Sequence, residues 1–256
     1  MFAVLSTRDS WGRPQRRRSA GEAWLAPTGG NDFHTTALLH FDGTDGSPLI
    51  VDSSRHELNF FAYGNAVISA DQSAAFGGQS LKLDGSGDYV AAADSDALVI
   101  GTGAFTDEIR CWTGGIEGTA TVIERRIGGG AEGYVLRINN YAWEVAIGNT
   151  TLLASAEVPS MSQFTHLAVV GNGGAHNSRT LRLYVDGVCA GTCPVDYYFT
   201  SNQLRLGTYY LGSGNFLAGY LDECRLSAQD RTANSRDPLY IPSGSTTFTP
   251  PTAAYN

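Results

Sequence analysis

Lysine is almost missing from this chain: of 17 basic residues only Lys82 is a lysine, and the rest are arginine. That imbalance reads as the coding bias of a GC-rich genome before it reads as a demand for guanidinium forks. Charge of either sign is scarce, at 16% of residues, and the balance is acidic, with a formal net charge of −8. An acidic body suits a phosphate backbone poorly, which argues against a general nucleic-acid binder. No apolar run approaches the length that spans a bilayer, so no membrane span is expected. Met1-Phe-Ala-Val-Leu5 is too short for a secretion signal, and the arginines follow it when they should precede it.

Catalytic patterns are missing too. Retaining glycoside hydrolysis needs two carboxyl groups about 5 Å apart, which sandwich enzymes supply with a Glu-x-Asp-x-x-Glu arrangement on one strand face. No segment has it. Asp107-Glu108 and Asp222-Glu223 are adjacent pairs, and on a regular strand neighbours point to opposite faces. The five histidines, at 34, 40, 56, 166 and 176, are scattered without zinc-like spacing. His40 and His166 fall within strand patterns and read as satisfied core or rim residues. Gly128-Gly-Gly130 lacks the lysine and the strand-to-helix setting of a phosphate loop, and no serine sits in a nucleophile elbow. The chain is expected to be non-enzymatic.

The cysteines are few: Cys111, Cys189, Cys193 and Cys224. Two disulfides are arithmetically available, but Cys111 and Cys224 lie in strand patterns, where a free thiol behaves as a small buried hydrophobe. Cys189 and Cys193 could close a small loop or stay unpaired, as thiols do in a reducing cytoplasm.

What the chain does have is glycine, 31 of 256 residues, together with 42% hydrophobics. That is the profile of a turn-rich β protein. Strand patterns follow one another at 37–41, 58–62, 66–69, 80–83, 89–92, 105–112, 119–127, 134–138, 143–147, 164–170, 180–185, 203–206 and 216–226, with a single helical turn at 94–98. So many short strands spell an all-β, antiparallel two-sheet sandwich or jelly roll. Apolar–Arg–apolar figures recur around Arg137, Arg182, Arg205 and Arg225, so each arginine should face away from its strand's apolar partners. In Gly219-Tyr-Leu-Asp-Glu-Cys-Arg-Leu-Ser227 the same alternation puts Asp222 in step with Tyr220, Cys224 and Leu226. A carboxylate so placed needs a cation or hydrogen-bond donors.

Three segments result: an extended basic N-terminal arm over 1–33, a sandwich over 34–241, and an extended Pro-rich tail over 242–256. The arm carries a net charge of +2, from five arginines against three acids. Trp11, Arg16, Arg17, Arg18 and Trp24 are its candidate docking residues, since Trp and Arg dominate interface hot spots; the alternative is that its tryptophans fold back on their own domain. Tyr197, Tyr198, Tyr209 and Tyr210 fall at loops or strand ends and are candidate ligand-binding residues, because sugar rings stack on exposed aromatics. Loop packing would use them equally well.

The ordered set Leu38-Leu-His-Phe-Asp-Gly43, Val51-Asp-Ser-Ser54, Phe76 to Val90, Phe105 to Trp112, Phe164 to Val169, Leu183-Tyr-Val-Asp-Gly187 and Gly219 to Leu226 resembles laminin-G-like (concanavalin A-like) jelly rolls. The resemblance covers about 35–256 and implies a concanavalin A-like jelly roll that binds carbohydrate or protein. In many such domains a calcium ion sits at the sandwich rim, which would place Asp52 and Asp222, with Asp42 nearby, among its ligands. Here Arg55-His56 stands where the family has Gly-Asn. Without a cation, Asp222 would take backbone N–H donors or pair with Arg55. The opening Leu-Leu-His-Phe-Asp-Gly and the closing Phe248-Thr-Pro-Pro-Thr-Ala253 are similar to variants in tailed-phage virion proteins. That implies a virion location, as head decoration, tail or fibre, assembled in host cytoplasm and oligomeric within the particle. Its partners would be other virion proteins, through the arm, and a host surface glycan; the alternative is a free calcium-dependent lectin.

Overall fold

The computed structural model describes residues 31–114, 118–126, 130–156 and 163–255, together with two short strands near the N-terminus. Those two, β1 (Thr7–Arg8) and β2 (Pro14–Gln15), pair antiparallel. Trp11, Arg16, Arg17, Arg18 and Trp24 lie outside the described residues.

The body begins with β3 (Thr35–Leu39), β4 (Phe60–Tyr63), β5 (Val67–Ser69), β6 (Ser80–Asp84) and β7 (Tyr89–Ala92). It continues with β8 (Ala104–Thr113), β9 (Thr119–Glu124), β10 (Val135–Asn139), β11 (Ala142–Ile147), β12 (Thr150–Ala154) and β13 (Thr165–Asn172). The last strands are β14 (Thr180–Val185), β15 (Val188–Pro194), β16 (Arg205–Leu206) and β17 (Ala218–Ser227). Single 3-10 turns at Asp96–Leu98, Tyr210–Gly212 and Arg231–Ala233 are the helical content. Among the described residues no helix is long and apolar enough to cross a membrane.

Two antiparallel sheets pack face to face as a jelly-roll sandwich. One runs β12-β11-β10-β9-β16-β7-β4; the other runs β15-β14-β13-β8-β17-β6-β5, with β3 also pairing β17. Strand alternation builds the core. Leu181, Leu183 and Val185 of β14 point inward with Leu167 and Val169 of β13, while Leu136, Ile138, Trp143 and Val145 answer from the opposite sheet. Each such fully buried side chain contributes roughly 1.5–3 kcal/mol relative to exposure. The turn after β6 holds Gly85 and Gly87 at φ near +85°, a conformation open to glycine, and carries the chain from one sheet to the other.

β13 is buried along both faces, because the chain after β17 returns across the outside of the eight-stranded sheet. Leu239 and Phe248 pack there on Ala168, Val170 and Tyr184. The segment 242–255 is extended, and it is docked: Phe248 and Tyr255 are buried, and the Phe248 amide donates to the Gly187 carbonyl at 3.0 Å.

All four cysteines are free. A bulge in β15 explains why Cys189 and Cys193 do not pair. Cys189 lies opposite Tyr184 and packs with the outer cluster, whereas Cys193 lies opposite Leu181 and packs on the core. The extra residue puts the two thiols on opposite faces.

Candidate functional site

The strand phase read for Asp222 does not hold. Asp222 pairs with Arg110 and Arg225 with Glu108, so three residue steps on β17 match two on β8. Glu223 adopts φ +44° at this bulge. Cys224 and Leu226 point into the core, while Asp222 shares the outer face with Tyr220 and Glu223. The adjacent pair Asp222-Glu223 is therefore not split across the sheet, unlike Asp107-Glu108, where Asp107 faces Tyr134 and Arg125 inside and Glu108 faces Arg225 outside.

At the rim, Asp222 Oδ2 accepts the amides of Ala75 and Phe76 at 2.7 and 3.0 Å, and Oδ1 accepts that of Glu223 at 2.9 Å. Burial outweighs these donors and pushes its pKa up to about 7. Asp42 accepts the Gly78 amide at 3.3 Å from the other side of the same turn. Arg55 does not reach Asp222; its guanidinium donates to the Phe33 carbonyl. Glu223 accepts from the Tyr255 amide at 3.2 Å and contacts His40 Nδ1 at 3.0 Å, a hydrogen bond that raises the His40 pKa despite partial burial.

Asp52 stands elsewhere. Its Oδ1 accepts the amides of Leu38 and Ser54, and its Oδ2 the Ser54 hydroxyl and the Leu58 amide, each at 2.8 Å. Those four bonds fill the lone-pair positions of a carboxylate. Calcium takes six to eight oxygens, and among the described residues no group of three or more His, Cys, Asp or Glu could hold a metal. Asp52, Asp222 and Asp42 as placed do not fit a calcium shell; each clamps backbone.

The outer face of the eight-stranded sheet is closed. Glu108 accepts Arg225 Nε at 2.5 Å, contacts His166 Nε2 at 3.1 Å and accepts the Tyr255 hydroxyl. The Arg225 guanidinium lies 4.1 Å from the Tyr255 ring centre. Arg231 joins the covering segment to Asp237 at 2.7 Å and to Asp32 at 2.9 Å.

The outer face of the seven-stranded sheet is exposed at its β4 edge, while Glu124, Val135 and Ala146 farther across it are buried. Tyr63 and Tyr89 are cross-strand partners whose rings stack at 4.4 Å with 5° between planes. Phe61 (52% exposed) and Tyr63 (43%) present their free surfaces at the β4 edge. Beside them Arg205 pairs with Ala91 of β7 and hydrogen-bonds Gln203 at 2.8 Å. Farther across, Arg126 grips Glu124 with two bonds of 2.6 and 2.7 Å and lies over the Tyr209 ring at 4.8 Å. The four arginines of the apolar–Arg–apolar figures are divided between the two outer faces. Three of them meet acids: Arg137 with Glu144, Arg182 with Asp230 and Arg225 with Glu108.

The candidate tyrosines separate. Tyr197 is buried; its hydroxyl donates to the Gly103 carbonyl and accepts the Gly173 amide, both at 2.9 Å, and its ring stacks on Phe199. It packs the core and is not surface-available. Tyr198 is 66% exposed. Tyr209 and Tyr210 are half-buried at the turn that lies over Tyr89, where a Cβ at Gly212 would approach the ring to 2.8 Å. Sequence reasoning passed over Tyr63, Tyr89 and Phe61, and read Arg205 only as one of four arginines facing away from their strands' apolar partners. The alternation Phe61, Tyr63 was readable, but which strand lies beside β4 was not.

The sequence model of the concanavalin A-like lectin/glucanase superfamily matches residues 84–235, more than half of the chain. The chain belongs to that superfamily. The match takes in Tyr89, Glu108 and Asp222 and leaves out Asp52 and Tyr63. Similar solved structures include the botulinum neurotoxin serotype G binding domain, at 10% identity and a TM-score of 0.60, covering 79% of this chain and 49% of that one. The binding domain of Paraclostridial Mosquitocidal Protein 1 superposes with a TM-score of 0.59 at 10% identity, covering 77% and 49%. A botulinum neurotoxin type C structure, described by that toxin's dependence on two ganglioside molecules, gives 0.57 at 11%, covering 77% and 48%. The chain thus spans about half the length of these relatives, and at such identities the likeness is one of fold. No curated protein matches the sequence.

Proposed function

We propose that this superfamily member is a non-enzymatic glycan-binding module of a tailed-phage particle, binding through the outer face of its seven-stranded sheet where it is exposed near β4. One observation carries the reading. The chain covers one outer face with its own C-terminal segment and leaves on the other a stacked tyrosine pair beside Phe61 and Arg205. Aromatic rings take the C–H faces of sugars, and a neighbouring guanidinium and amide take hydroxyls. Similar structures, two described as binding domains and a third by its toxin's dependence on gangliosides, support the ligand class. The phage setting rests on the opening and closing motifs, and the N-terminal segment around Trp11 and Trp24 is the proposed attachment to other virion proteins.

A glycan array read with the wild-type chain and with Tyr63→Ala/Tyr89→Ala tests the site. Aromatic contacts of roughly 0.5–1.5 kcal/mol each predict about a tenfold loss for the pair. Unchanged binding by the double variant, or no glycan bound at all, overturns the reading. Deleting residues 1–30 should abolish incorporation into particles, and normal incorporation would refute the attachment role.

A further inference from the structure

A groove of about 750 Å³ runs along the free edge of β4, between that strand and residues 48–52. Its walls are accessible: Leu49 is 67% exposed, Val51 56% and Phe61 52%. β4 ends its sheet, and among the described residues its one strand partner is β7. The Ala93 amide donates to the Asn59 carbonyl at 2.8 Å, which makes Phe60–Ala92 a non-hydrogen-bonded pair. Phe60 and Ala62 therefore turn their N–H and C=O groups away from β7, toward the free edge. Among the described residues nothing meets those four groups. Such an edge is a template for one more strand.

The chemistry of this edge narrows its occupant. Free backbone groups on alternate residues, flanked by the aliphatic Leu49 and Val51, fit an extended peptide with apolar side chains. A candidate lies in the same chain. The described body begins at Asn31, whose side-chain amide donates to the Ser53 carbonyl, one residue beyond the groove-lining Asp52. The Arg55 guanidinium donates to the Phe33 carbonyl at 3.5 Å. The preceding residues thus join the body beside one end of the groove. Pro27-Thr-Gly-Gly30 has the composition of a turn-forming link, and Glu22-Ala-Trp-Leu-Ala26 is the apolar stretch next to it. The span from Asn31 back to Ala26 reaches up to about 17 Å, longer than the four-residue β4.

We propose that residues 22–26 add to the free edge of β4 in the same molecule, as a further strand of the seven-stranded sheet. Strand alternation then sets Trp24 and Leu25 on opposite sides of the added strand, one of them joining Phe61 on the outer face. A strand added beside β4 widens the face that carries Tyr63 and Tyr89 without covering it. The paired strands β1 and β2, with Trp11 between them in sequence, are left for the attachment to other virion proteins.

The test is amide hydrogen exchange followed by NMR on the isotopically labelled full chain, with no glycan present, beside the full-length variant Trp24→Ala/Leu25→Ala. The Phe60 and Ala62 amides should exchange about tenfold faster or more in the variant, while amides inside β13 keep their rates. In the wild type, side-chain cross-peaks should link Trp24 or Leu25 to Leu49 or Val51. Leu49→Ser/Val51→Ser changes exposed positions of the groove wall and should speed the same two amides; if the first variant misfolds, this one decides. Equal exchange in the wild type and the variants, or absence of the cross-peaks, would overturn the proposal. Protection that grows with protein concentration would also overturn it, by assigning the edge to the arm of a second copy. Because no sugar enters these measurements, failure here and failure of the glycan reading are distinguishable.

Discussion

Replacing Glu108 by glutamine should cost the fold about 3 kcal/mol at neutral pH, and that cost should fade in acid. Burial alone would raise the Glu108 pKa, but Arg225, then His166 and the Tyr255 hydroxyl, reverse this and hold it at about 2, below the ordinary 4.5. Each pKa unit is about 1.4 kcal/mol, so the depression corresponds to roughly 3 kcal/mol of folded-state preference for the ionised group. Breaking a buried ion pair by removing one partner gives a similar figure, about 3–5 kcal/mol. The low end applies because Asp237 stays 3.5 Å from the Arg225 guanidinium as a second counter-charge. For a depressed pKa the sign is definite. The contribution is complete above the unfolded value and disappears as pH falls from 4.5 toward 2. Urea denaturation of the wild type and Glu108→Gln at pH 7 and through that window reads both numbers. A cycle with Arg225→Met should show the double variant losing less than the sum of the singles, since the two residues share one interaction. A loss below about 1 kcal/mol, or one that is the same at every pH, would refute the claim that this cluster pins the C-terminal segment to the sheet.

Two further outcomes concern the rim. The raised Asp222 pKa, about 7, means that the folded state holds a proton the unfolded chain has released, so this group's stabilisation declines from pH 3.8 to about 7. His40, raised by Glu223, contributes below its ordinary 6.5 and loses that contribution as pH rises through its folded value. With Glu108 acting oppositely in acid, calorimetry should find the maximum Tm between about pH 4 and 5. A Tm that climbs from pH 5 to 7, unaffected by Asp222→Asn/His40→Gln, would contradict this. Asp52→Ala strands the buried amides of Leu38 and Ser54 and the half-buried amide of Leu58 and should cost about 3 kcal/mol, at roughly 1–3 kcal/mol per unsatisfied group. EDTA should leave the wild-type Tm unchanged; a chelator-induced drop restored by calcium would show that the carboxylate serves a metal.

The sandwich was legible because its core strands obey period two. Leu181, Leu183 and Val185 could be placed on one face from the sequence alone, and they are there. β12 and β15 were missed, for a physical reason. Both are edge strands, where half-exposed Thr-Thr-Leu-Leu-Ala and Cys-Ala-Gly-Thr-Cys carry weak alternation and their pairing comes from the neighbour. The tail at 242–255 looked like an appendage because proline and threonine say only that it is extended. That Phe248 and Tyr255 would seat on the outer sheet face depends on contacts with Tyr184 and Arg225, far away in sequence.

The bulge in β17 shows most clearly why the site resisted sequence reading. Alternation counts residues and assumes that each one advances the strand by a fixed step. At Glu223 the backbone turns left-handed, one residue adds no step, and every side chain beyond it changes face. Extending the phase of Cys224 and Leu226 backward therefore put Asp222 on the wrong side, among core residues, where it demanded a counter-ion. On the outer face it accepts the amides of Ala75 and Phe76, although burial still outweighs these donors. The same slip puts Glu223 beside Asp222 on the outside, where it ties His40 to the amide of Tyr255 and so links the rim to the closing segment.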